Sequence, residues 1–207
     1  MSRKAYTKEE RESLRERMIE HSAKVFSEKG LRETSLEDIY LFEGISKTFF
    51  YSFFPSKTAL IIEVFRTQSV DILDTVRRNV WEYGSIIGLR ETMAALLAGR
   101  WYVATFDDQV YLRGILSEDD YVGFKNDRIV LFAEILNILG VPVSRLDPRV
   151  FYNMIMTIVW TSRSGQASIP FLYGEVIRES TEIQIEHLVD HVSSLRVDSS
   201  QGFRRDG

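Results

Sequence analysis

Lys47, Thr48 and Phe49 stand consecutively in a short stretch that Phe54-Pro55 must stop, and together they have the chemistry to touch the edges of nucleic-acid bases. An ammonium donates to guanine acceptors or to a phosphate, a hydroxyl serves as donor or acceptor at a base edge, and an aromatic ring lies against a thymine methyl. Phe49 has the alternative of turning inward and packing. Catalytic chemistry finds no comparable set. The histidines are His21, His187 and His191, and no Ser-His-Asp or Cys-His arrangement can be assembled around them. His187 and His191 are four apart on a prospective helix, with Asp190 adjacent, but Leu188 stands where a hydrolytic zinc motif needs a glutamate. A glycine-rich phosphate loop is also missing. The expectation is a protein without catalytic residues, metal or cofactor.

The elements that must present Lys47 to Phe49 can be read from caps and breakers. Ser35 precedes the apolar positions Leu36 and Ile39, with Asp38 three residues on, which is the arrangement of a capping box. The helix so started must stop at Gly44, which takes a positive φ without penalty. Ile45 then fills the angle, Ser46 caps a second helix, and Phe54-Pro55 ends it. Ahead of this pair, Lys8 to Lys29 carries apolar residues at Leu14, Met18, Ile19, Val25 and Phe26, the spacing of an amphipathic helix, closed by Gly30. Two short helices meeting at a glycine turn and braced by a third form a helix-turn-helix, whose second helix can lie in a major groove.

These residues resemble the amino-terminal domain of the TetR family of bacterial transcriptional regulators. The resemblance rests on Ala23, Phe26, Glu28, Lys29, Gly30, Thr34, Ser35, Asp38, Ile39, Gly44, Ser46, Lys47, Phe50, Tyr51, Phe54, Ser56, Lys57 and Leu60. It covers the first third of the chain; the remainder resembles the family in length and helical character. Tyr40 and Glu43 depart from the family pattern by replacing small residues, Thr48 replaces its glycine and Phe49 its threonine. The resemblance implies that Tyr51 and Lys57 meet the DNA backbone, with Thr34 and Ser35 at a further phosphate. It also implies a homodimeric repressor on a palindromic operator, released by a small, largely apolar effector. The departures at Thr48 and Phe49, with the weak positive charge of the head, fit a second reading: a ligand-binding or scaffold protein whose head no longer reads DNA.

Bulk properties agree with two modest domains. The chain has 207 residues, 44% of them hydrophobic, and no cysteine, so it can bury a core without disulfides and suits a reducing compartment. Apolar runs such as Met154 to Trp160 are too short to span a bilayer, and a soluble, cytoplasmic protein is expected. Net charge is −4, yet residues 1–60 hold eleven Lys/Arg against ten Asp/Glu and are therefore +1, leaving −5 for the rest. The positive end is the end with the motif, and a near-neutral head implies binding through a few placed cations rather than a broad basic field.

Beyond the motif the periodicity is helical throughout. Ser56 opens a long helix whose stripe Leu60, Ile61, Val64, Phe65, Ile72, Leu73, Val76 and Val80 runs to Trp81, a rod on the order of 35 Å at the helical rise. Later segments fall at Leu89 to Phe106, Asp107 to Leu116, Asp120 to Leu139, Pro148 to Arg163 and, after a break at Pro170, Phe171 to Leu195. The expected fold is all-α with about nine helices. Its expected domains are 1–55 as the helix-turn-helix head, 56–196 for effector binding and dimerisation, and 197–207 as a disordered tail. Arg100, Trp101, Phe106, Tyr111, Phe132 and Trp160 are the expected ligand-binding residues, among more aromatics than packing alone demands. Met154, Ile158, Ile183 and Leu188 are the expected dimer seam, where the last two helices pair with their symmetry mates.

Overall fold

The computed structural model describes residues 6–164 and 173–197. Among them there are eight α-helices, one 3-10 turn and no strand. The tail beyond Val197 and the break at Pro170 lie outside the described residues.

Helix α1 (Lys8–Glu33) opens on a capping box between Thr7 and Glu10 and is interrupted at Gly30, which has φ 78°. Helix α2 (Leu36–Phe42) starts at the expected box: the Ser35 hydroxyl accepts from the Asp38 amide at 3.1 Å, and the Asp38 carboxylate accepts from the Ser35 amide at 2.9 Å. Gly44, with φ 65°, supplies the turn. Helix α3 (Lys47–Phe50) is capped by Ser46 and is shorter than expected, since Tyr51 to Phe53 continue as turns. Helix α4 (Lys57–Leu97) is broken at Gly84, φ 80°, so the rod ends close to where its apolar stripe ends.

The segment expected as one helix from Leu89 to Phe106 is divided. The chain leaves α4 at Leu97, passes Gly99 at φ 84°, and re-enters a helix only when Thr105 caps α5 (Phe106–Ile115). Periodicity ran across this gap because Trp101, Tyr102 and Ala104 are buried without being helical. Helices α6 (Glu118–Leu139), α7 (Pro148–Ser164) and α8 (Ile177–Ser194) follow, α8 being preceded by the 3-10 turn Gly174–Val176.

Two compact units result: Met1–Val70 with Trp101–Phe124, and Asp71–Arg100 with Lys125–Gly207. In the first, Phe26, Phe50 and Phe54 are at most 1% exposed, and full burial of such a ring contributes about 1.5–3 kcal/mol. Tyr102, Leu112 and Leu116 complete that core from outside the helix-turn-helix. In the second unit α7 packs on α8, burying Phe151, Ile155 and Val159 with Leu188, Val189 and Val192. The two arms of α4 on either side of Gly84 approach closely: a Cβ at Gly88 would stand 2.8 Å from the Asn79 carbonyl carbon. Asn79 donates to the Thr92 hydroxyl at 3.1 Å across the same seam, so its buried amide is satisfied where the arms meet.

Candidate nucleic-acid interface

The reading helix presents two of its three expected residues to solvent. Lys47 and Thr48 are exposed, whereas Phe49 is half-buried. Tyr6 stacks on the Phe49 ring at 5.0 Å and Phe53 meets it edge-on at 5.2 Å. The Arg11 guanidinium sits 5.3 Å from the same ring and 4.5 Å from that of Phe53, and donates to the Ser52 hydroxyl at 3.3 Å. Cation–π contact of this kind holds a cation in place without neutralising it. Arg11 and Tyr6 therefore cover the Phe49 ring, and the packing alternative for Phe49 describes much of its area. Only the apolar ring at 49 hinted at this partnership in the sequence.

Among the expected phosphate contacts, Ser35 and Tyr51 are exposed and Lys57 is half-exposed. Thr34 stands apart from them. It is 2% exposed, and its hydroxyl donates to the Gly30 carbonyl at 2.7 Å, the same oxygen that accepts the Thr34 backbone amide at 3.3 Å. Lys57 donates to the Arg32 carbonyl at 3.3 Å and lies 5.0 Å from the Tyr111 ring. Asp38, which completes the α2 cap, is bound by Lys29 at 2.9 Å. The Lys29 ammonium, then the Ser35 backbone and hydroxyl, hold its carboxyl at a pKa of about 2.

The departure at Glu43 has a structural role. Its carboxylate accepts from Arg17 at 3.0 Å with the side chain 6% exposed, tying the end of α2 to α1. Arg15 similarly joins α1 to Glu63 of α4.

The six expected ligand residues do not share one unit. Trp101, Phe106 and Tyr111 belong to the first, and Arg100, Phe132 and Trp160 to the second. Trp101 is buried and Phe106 is 72% exposed. Arg100 pairs with Asp71 at 3.1 Å on the surface. Phe132 packs edge-on against Tyr152 at 5.0 Å and Phe151 at 5.9 Å, and burial raises the Tyr152 hydroxyl above its usual pKa.

The expected seam residues divide by exposure. Ile158 and Leu188 are at most 3% exposed within their own chain, so the stripe that holds them faces inward. Ile183 is exposed, Met154 is half-buried, and the outward apolar residues beside them are Val150 and Trp160. His187, Asp190 and His191 lie exposed on α8, and no group of three or more metal-ligating side chains gathers among the described residues. No helix among them is long and apolar enough to cross a membrane.

Residues 18–64, which span the turn-linked helices and the start of α4, match the family model described as bacterial regulatory proteins, tetR family. Comparison with curated proteins and with solved structures finds no match to the chain.

Proposed function

Since the chain belongs, through its amino-terminal domain, to the TetR family of bacterial regulatory proteins, we propose that it is a cytoplasmic homodimeric repressor that binds a palindromic operator and is released by a small, largely apolar effector. The coarse part of this, a DNA-binding regulator, follows from the family. The observation that supports direct reading is the exposed pair Lys47 and Thr48 at the start of α3, the second helix of the helix-turn-helix. Two-fold symmetry would then set half-sites about one helical turn apart. The apolar character of the effector is what the family resemblance implies; in the second unit Phe132 packs on Phe151 and Tyr152 as part of its core. Such a ligand acts by preferring the conformer whose two heads are wrongly spaced for the operator.

The test is selection of duplex fragments from random and genomic DNA by the purified protein at about 0.15 M salt, a concentration at which non-specific phosphate binding is already weakened. An enriched palindrome supports the regulator reading. A dimeric protein that retains no sequence and shows no salt-dependent affinity for duplex DNA favours the scaffold reading, which the partial covering of Phe49 by Tyr6 and Arg11 keeps in view.

A further inference from the structure

Two cations of the head meet one aromatic ring that lies far from them in sequence. Tyr111, on α5, is half-buried in the first unit. The Lys57 ammonium stands 5.0 Å from its ring centroid and the Arg32 guanidinium 5.7 Å. Lys57 also donates to the Arg32 carbonyl at 3.3 Å, so one side chain is tied to the other's backbone. The same helix holds the adjoining backbone: Asp108, one turn before Tyr111, accepts from the Leu31 amide at 2.6 Å. Neither Arg32 nor Lys57 has a carboxylate partner among the described residues.

A carboxylate in place of the ring would order these cations and cancel their charge. An aromatic face orders them and leaves the charge available. Two like charges held together in this way repel until an anion enters, and a phosphate oxygen is the acceptor that matches an arginine fork beside a lysine point charge. We infer that Arg32 and Lys57 form a two-cation clamp on one DNA phosphodiester, with Tyr111 as the residue that positions both. The inference rests on the DNA-binding reading of the head, and it adds Arg32 as a phosphate contact and α5 as part of the interface.

The experiment compares wild type, Arg32→Ala, Lys57→Ala, Tyr111→Leu and Tyr111→Phe by fluorescence anisotropy on two short duplexes, one selected by the protein and one scrambled, over a range of salt. Arg32→Ala is expected to lower the slope of log affinity against log salt by about one, and to weaken both duplexes roughly fivefold near 0.15 M salt. Tyr111→Leu is expected to weaken both by roughly two- to fivefold with base preference unchanged, and Tyr111→Phe to restore wild-type binding because it keeps the ring face. Tyr111→Leu is also expected to lower the salt slope, whereas a purely structural role for Tyr111 would leave that slope at the wild-type value. If Arg32→Ala keeps the wild-type slope while Lys57→Ala loses its share, the clamp is overturned and the regulator reading stands. If wild type itself shows no salt-dependent affinity for either duplex, both are overturned. Should Tyr111→Leu lose its helical circular-dichroism signal, Arg32→Ala decides alone.

Discussion

The backbone amide of Leu31 donates to the carboxylate of Asp108 at 2.6 Å, so the interruption of α1 is held by a side chain from α5. Asp108 is 4% exposed and also accepts from the Thr105 amide at 3.0 Å and the Thr105 hydroxyl at 2.7 Å. Burial is the largest influence on its carboxyl and raises its pKa. The bonds from Leu31, Thr105 and Tyr102 together outweigh burial and keep it below the usual carboxylate value. Asp108→Ala removes the acceptor and leaves buried donors unanswered, a loss of about 2–3 kcal/mol. Asp108→Asn keeps one acceptor oxygen and should lose less. Urea denaturation of the three proteins checks this, and an alanine variant with the wild-type midpoint would mean that the bond does not form in solution.

Base reading and phosphate binding are expected to separate between the exposed Thr48 and the half-exposed Lys57. Thr48→Ala should shift the preferred operator sequence at one position with little change in salt dependence. Lys57→Ala should weaken all sequences alike and lower the salt slope by about one unit. Selection with sequencing checks the first and anisotropy against salt the second. A Thr48→Ala variant that selects the wild-type motif unchanged would remove Thr48 from the reading set.

At Gly88 helix propensity and packing oppose each other. Alanine would gain about 1 kcal/mol as a helix former. Its Cβ, however, would stand 2.8 Å from the Asn79 carbonyl carbon and the Val80 nitrogen, backbone atoms that cannot swing aside. Overpacking of this kind costs about 1–3 kcal/mol, so Gly88→Ala should melt below wild type. A melting temperature above wild type would show that the arms of α4 stand further apart.

Acid should weaken the cap of α2 through Asp38. Its folded pKa of about 2 lies below the ordinary aspartate value of about 3.9. The ionised form therefore contributes stability that is complete above the ordinary value and disappears as pH falls through the folded one. Asp38→Asn should be less stable than wild type at neutral pH and should converge on it near pH 2. Denaturation midpoints measured against pH would test this, and a constant gap down to the lowest pH would assign the effect to geometry rather than charge.

What the sequence disclosed was local. Ser35 with Asp38, Gly30 and Gly44 act within a turn or two of themselves, and the structure forms the cap and both breaks where those residues stand. The family motif is local as well, since it lies within 18–64. What stayed hidden depends on partners distant along the chain. Nothing at Tyr111 or Asp108 announces Lys57 or Leu31, and Tyr6 and Arg11 reach Phe49 only after α1 has folded back on α3. Buried residues outside any helix, such as Trp101 and Tyr102, prolong a helical pattern in the sequence because apolar character alone does not separate a buried loop from a helix face.

The phase of α7 and α8 shows the same limit and leads to a test of the homodimer. An amphipathic helix that packs on its own chain and also on a second copy carries two apolar stripes, and spacing does not say which is which. Exposure does: Ile158 lies in the chain's own core at 3% exposure, whereas Ile183 on α8 is 48% exposed. Ile158→Ala should cost about 2–4 kcal/mol of folding stability through the cavity it leaves. Ile183→Glu should leave the monomer folded and shift sedimentation velocity from dimer towards monomer, because an unpaired charge at a symmetric contact meets its own copy. If Ile183→Glu remains as fully dimeric as wild type, the face that carries Ile183 is not the seam, and the proposed pairing of α7 and α8 with their symmetry mates fails with it.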